Sequence, residues 1–145
     1  MATLNPVLDR PHADSRARLA TYWLFTILGP FSFVIGGALF LTGQPQQIAQ
    51  LAALGLPAIL APILGVAKLA GAIVSVVPRL ALAKEWAYAG FAFLLAGASA
   101  LHTLHGDGPA KALPPLMFLA FVGASYALRP ASRRLALVAA DRKAA

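Results

Sequence analysis

Between Arg18 and Lys68 the chain carries no charged residue, yet this stretch is too long for one helix and is broken by GQPQQ at residues 43–47 and GLP at 55–57. It resolves into two apolar runs. The first covers about residues 20–41 (ATYWLFTILGPFSFVIGGALFL) and the second about 58–77 (AILAPILGVAKLAGAIVSVV). Each is long enough for a helix that crosses a bilayer core of about 30 Å. Residues 48–54 are too short to cross and mix Gln with Ile, Leu and Ala, which predicts an interfacial helical turn.

Pro78 and Arg79 stop the second run, and a third extends from Trp86 to about Leu104 (residues 86–104). The loop HGDGP at 105–109 reverses the chain into a fourth run at about 113–128. Pro114 and Pro115 suit that helix's first turn, where a missing N–H costs nothing. Pro30 and Pro62 fall within spans and should bend them. The expected architecture is all-α: a four-transmembrane-helix bundle between a basic arm (1–19) and a basic tail (129–145).

An even number of spans puts both termini and the 78–85 loop on one side. That side carries Arg10, Arg16, Arg18, Arg79, Lys84, Arg129, Arg133, Arg134, Arg142 and Lys143, against Lys111 alone on the other. The positive-inside rule makes it the cytoplasmic face, so the expectation is N-in/C-in in a bacterial inner membrane. Tyr22, Trp23, Trp86, Tyr88 and Tyr126 fall at the same end of their helices, where amphipathic rings favour the headgroup layer. The first eighteen residues mix acids and bases, unlike a signal peptide's basic leader, so the first span is expected to stay as an anchor. His12 reads as part of a solvated arm.

Composition agrees with a membrane protein: 59% hydrophobic, 12% charged and a mean hydropathy of +0.74. The net charge of +7 sits at the ends of apolar runs rather than in a polar stripe, which excludes a nucleic-acid-binding domain. With no cysteine there is no disulfide, thiol redox pair or iron–sulfur ligation. Any redox role has to use a bound or diffusing cofactor.

Lys68, near the centre of the second run, is the first functional candidate. A mid-span lysine costs on the order of 3 kcal/mol on insertion scales and normally faces protein or water. On a helical wheel it shares a face with Gly65, Gly71, Ala72 and Ser75, so it should point into the bundle. Two readings stay open: an amine that anchors a ligand or accepts a proton in a cavity, and a structural lysine bonded to carbonyls. Small residues recur at Ala67, Gly71 and Ser75, and again at Ala92, Ala96 and Ala100, the spacing that lets helices approach closely in lipid.

His102 and His105 share a helix face with Asp107 just beyond, a partial metal-donor set at the other end. Two histidines and one acid fall short of a metal site, and an interfacial polar cap is preferred. Ser32, Ser75, Ser99 and Ser125 have no adjacent His–acid pair, which excludes a serine nucleophile and leaves them to bond within or between helices.

The segments GVAKLAG (65–71), VPR (77–79) and KEWAYAGF (84–91), with LGLP at 54–57, resemble the DoxX-like family of small four-helix membrane proteins, over roughly residues 29–130. The resemblance implies a four-helix bundle and a relation to the membrane subunit of thiosulfate:quinone oxidoreductase, hence quinone-linked redox metabolism. In the family's third span an acidic residue commonly follows the aromatic run, with a histidine about two turns later. His102 matches the histidine, but Leu94 stands at the acidic position and deprives Lys68 of a buried carboxylate.

The expected function is non-enzymatic binding of a lipophilic molecule, a quinone or lipid, with Lys68, Ser75 and His102 as ligand contacts, or service as the membrane component of a redox assembly. The alternative is a structural subunit that docks other membrane proteins or a second copy through its small-residue faces. A transporter is disfavoured, because Lys68, Ser75, Thr26 and Ser32 make no continuous polar path through the first two spans.

Overall fold

The computed structural model describes residues 16–134, which are helical apart from short connections. The expectations for His12, Arg10, Arg142 and Lys143 lie outside the described residues. The first apolar run is broken as Pro30 requires: α1 (Arg16–Leu28) gives way to a 3-10 turn (Pro30–Ser32) and then to α2 (Phe33–Leu41). Gly29, at the break, is buried against α6 (Pro109–Leu128), where an added Cβ would stand 3.0 Å from the Val122 nitrogen. The kink therefore coincides with the closest approach of the two helices.

The 48–54 turn is a longer element than expected, the two-turn helix α3 (Pro45–Ala53). Pro45 starts it, Gly43 and Gly55 flank it with φ of +64° and +71°, and Leu51 anchors it in a core with Phe40 and Ala61.

Next comes α4 (Leu60–Val76). Pro62 was expected to bend this span and does not: it sits in the first turn, where its missing N–H has no intrahelical partner to lose. The reverse holds in α6. There Pro109 occupies the first turn, and Pro114 and Pro115 lie inside the helix, not at its start. The helix α5 (Ala81–Leu104) begins five residues before Trp86, so Lys84 and Glu85 belong to it instead of preceding it.

Packing follows α2 on α4, α4 on α5, α5 on α6 and α6 on α1, closing a ring of helices with α3 over one end. One apolar core joins Tyr88, Phe91, Leu95 and Val122, and Phe33 stacks on Phe91 with centroids 4.6 Å apart. A second, around Phe40, Leu51 and Ala61, lies under α3. Large apolar side chains cover the outside, among them Phe93, Leu104, Ile35 and Ile59, as a hydrocarbon solvent demands. Three segments, Arg16–Leu41, Ala81–Leu104 and Pro109–Leu128, are long and apolar enough to cross a membrane, while α4 is apolar and 17 residues long. The protein is a membrane protein.

The N-terminal halves of α1 and α5 meet the C-terminal ends of α4 and α6 at one end of the ring. Arg133 donates to the Val76 carbonyl at 3.0 Å and stacks over Trp23 at 4.8 Å, and Arg129 pairs with Glu85 at 2.8 Å. The aromatic belt expected there divides in two. Trp86 and Tyr126 are exposed, but Tyr22 and Tyr88 are buried and belong to the core. The Ala92, Ala96 and Ala100 row divides as well: Ala96 and Ala100 face outward and Ala92 is half-buried, so it is not an internal packing seam.

Candidate functional site

The site begins with two glycines. Gly37 of α2 and Gly65 of α4 cross so closely that a Cβ on either would lie 3.0 Å from the other's carbonyl oxygen. That contact brings the face of α2 carrying Phe33 and Phe40 against the middle of α4. Lys68, one turn beyond Gly65, places its Nζ 4.1 Å from the centroid of Phe40 and 5.9 Å from that of Phe33. Gly36 borders it: a Cβ there would make an ordinary 3.9 Å contact with Nζ.

Phe33 belongs with one apolar core and Phe40 with the other, so the amine sits where the two cores meet. Among the described residues it has no hydrogen-bond or ion-pair partner. Two aromatic faces attract a cation but accept no conventional hydrogen bond, so its N–H groups remain available to a ligand.

Lys68 lines a partly open cavity of about 370 Å³ between α2, α3, α4 and α5. Phe33, Phe40 and Leu94 wall its inner part; Gln50 of α3 and His102 of α5 lie at its polar end. The cavity thus unites Lys68 with His102, two of the three ligand contacts expected from the sequence. Leu94, the position at which the resemblance implies an acidic residue, lines the same cavity as Lys68.

Ser75 is elsewhere. It is fully buried, donates to the Gly71 carbonyl at 2.8 Å, and does not line the cavity.

At the polar end the imidazole is oriented by an acid. His102 Nδ1 lies 2.7 Å from Asp107 Oδ2, and Lys111 Nζ lies 2.9 Å from Asp107 Oδ1. The hydrogen bond from His102, reinforced by Lys111, holds the Asp107 carboxyl below the usual carboxylate range. A carboxylate only accepts, so Nδ1 carries a hydrogen and the neutral ring has its lone pair on Nε2. His105 is not part of this arrangement. It is exposed, with Cε1 3.9 Å from where a Cβ on Gly55 would stand. Among the described residues no group of three or more His, Cys, Asp or Glu side chains is placed to hold a metal.

Two features escaped the sequence. Gln50 was legible only as a polar residue in a short turn, and nothing in its neighbours marked it as a cavity wall. Lys84, read as a topology charge, is fully buried and bonds to the carbonyls of Val74, Ser75 and Val77. Lys84, and not Lys68, is the lysine bonded to backbone carbonyls, and the feature that places it there is the start of α5 at Ala81.

No curated relative and no solved structure matches the chain. The model of the DoxX-like family matches residues 24–125, a stretch that holds Gly37, Gly65, Lys68, Leu94 and His102, and the chain belongs to that family.

Proposed function

We propose that this protein is a four-span membrane protein with both termini on the cytoplasmic side of a bacterial inner membrane, and that its cavity binds a lipophilic molecule through Lys68. One observation carries the reading: an amine at the middle of α4 without a hydrogen-bond or ion-pair partner among the described residues, held by Phe33 and Phe40 at the wall of a cavity. Such a group is costly in a membrane unless something bonds to it. The volume falls within the range of small-molecule sites.

Depth narrows the ligand. Lys68 is eight residues from either end of α4, about 12 Å along the axis, and so near mid-bilayer if α4 spans. A phospholipid headgroup belongs at the interface, whereas the carbonyl of a quinone moves freely in hydrocarbon. A quinone is therefore the favoured ligand, and it gives the protein a place as carrier or membrane component of a redox assembly.

His102 lies eight residues beyond Leu94 on α5, again about 12 Å along the axis. One ring bonded to Lys68 does not reach it. His102 serves the polar end of the cavity, where Asp107 orients its imidazole toward a hydrogen-bonding role.

The test is Lys68→Met in the purified full-length protein. Quinone recovered in native mass spectra should fall at least tenfold while helical content and melting temperature hold. Full retention by the variant removes Lys68 from the site, and copurification of bulk phospholipid alone removes the quinone.

The outward-facing Ala96 and Ala100, with Gly97 open beside them, favour a second reading in which α5 docks another membrane subunit or a second copy. A stoichiometric partner surviving mild detergent would support it.

A further inference from the structure

Lys68 lines a second cavity besides the one that holds His102. Lys68, Leu64 and Leu94 are common to both, so the amine stands at their junction. The second is a groove of about 410 Å³ along the seam of α4 and α5, running from Leu64 toward Val74 and Trp86. The seam is held shut behind it by Phe91: a Cβ on Gly71 would come within 2.7 Å of that ring. On the outer side it is open, since a Cβ on Gly90 would meet no heavy atom within 4 Å, and Trp86 at its end is 74% exposed.

The only wall side chains able to form a hydrogen bond are Lys68 at the inner end and Trp86 at the other. On a protein whose surroundings are lipid, such a groove opens sideways into hydrocarbon and not into water.

From this geometry we infer that the α4–α5 groove is the tail subsite and the lateral entrance for the ligand whose head bonds to Lys68, and that the ligand is a single-chain lipid with a neutral carbonyl head. The inference rests on the reading of Lys68 given above. It adds the route and the shape of the molecule. A head at the junction of the two cavities has Lys68 as its donor, and a chain attached to it leaves along Gly90 and Ala87 toward Trp86.

A phospholipid would have to bring its charged headgroup to the middle of α4. A fatty acid would have to give up its charge by protonation or form a buried ion pair with Lys68, whose desolvation offsets the attraction. A neutral carbonyl meets neither penalty.

The open Gly90 supplies the experiment, because it lines the groove, a Cβ there meets no heavy atom within 4 Å, and the change replaces a residue unfavourable to helices. Gly123 on α6 is equally open but lies on the α5–α6 seam, which makes Gly123→Phe a matched control. The probe is a decyl-substituted benzoquinone, bound to the full-length protein in detergent micelles and followed by quenching of Trp86 fluorescence in a Trp23→Phe background. Circular dichroism checks each variant's fold.

Gly90→Phe should weaken decylbenzoquinone about tenfold, the contact of roughly two buried methylenes, while Gly123→Phe leaves it unchanged and Lys68→Met abolishes it. If Lys68→Met weakens binding and Gly90→Phe does not, the head site stands and the tail route is wrong. Equal weakening by Gly90→Phe and Gly123→Phe also overturns the route. Unchanged binding in Lys68→Met overturns the head site, and the route with it. If decanoate displaces the probe at equal concentration, the site belongs to an anionic head and the neutral-carbonyl assignment fails.

Discussion

Lys84 Nζ donates to the backbone carbonyl of Ser75, nine residues earlier in the chain, at 3.2 Å. The same amine also reaches the carbonyls of Val74 and Val77, and Arg133 takes that of Val76 at 3.0 Å. The carbonyls left unpaired where α4 ends are thereby satisfied by two basic side chains instead of by water. Lys84→Met strips three of them of their donor. We expect a loss on the order of 3 kcal/mol, seen as a lower melting temperature in detergent, with ligand binding at Lys68 retained in the protein that remains folded. An unchanged melting temperature would show that water replaces the amine.

The crossing of Gly37 and Gly65 has no room for a side chain on either helix. Gly65→Val should part α2 from α4, cost about 1–3 kcal/mol and displace Phe40 from Lys68, so that quinone retention falls together with thermal stability. Gly123→Val, at an open position on α6 outside both cavities that Lys68 lines, should change neither.

A buried hydroxyl chain joins three helices. Thr26 Oγ1 donates to the Tyr22 carbonyl at 2.7 Å, which leaves Ser125 Oγ to donate to Thr26 and Tyr88 OH to donate to Ser125, each at 2.7 Å. Ser125→Ala breaks the chain and leaves the Tyr88 hydroxyl without its acceptor. The expected loss is about 1–2 kcal/mol, and Tyr88→Phe added to Ser125→Ala should cost less than the sum of the two single changes.

Asp107 carries a pH signature. Its carboxyl is held low in the folded protein by His102 and Lys111, so the stability it contributes is present above the unfolded carboxylate value and is lost as pH falls through the lower folded one. Melting temperature should therefore decline below about pH 4 in the parent protein. Asp107→Asn should flatten that part of the profile. The same variant frees the imidazole from its acceptor, and the 15N chemical shifts of His102 should then show both tautomers.

Much of the architecture was legible because in lipid the hydrophobic pattern and the chain breakers leave few choices. The runs at 20–41, 58–77, 86–104 and 113–128 correspond to helices, and Pro30 breaks its helix as expected. Ends were read less well. Lys84 and Glu85 look like the flank of a span, and only the start of α5 at Ala81 shows them to be inside it. The prolines misled for a related reason: a proline's effect depends on its distance from the first turn, which places Pro62 harmlessly and puts Pro114 and Pro115 inside α6.

By itself the sequence determined that this is an apolar helical chain of the DoxX-like kind, that a lysine lies in the middle of an apolar run, and that Leu94 cannot pair with it. These are local properties, carried by composition, spacing and residue identity. Which lysine is satisfied was decided only by tertiary structure. Lys84 finds its acceptors on the preceding helix, and Lys68 meets two aromatic rings and two cavities, because the Gly37–Gly65 crossing and the Phe91 contact set where α2, α4 and α5 stand. A hydrogen-bond partner is a point in space, and side chains far apart in sequence reach it only after the helices have packed.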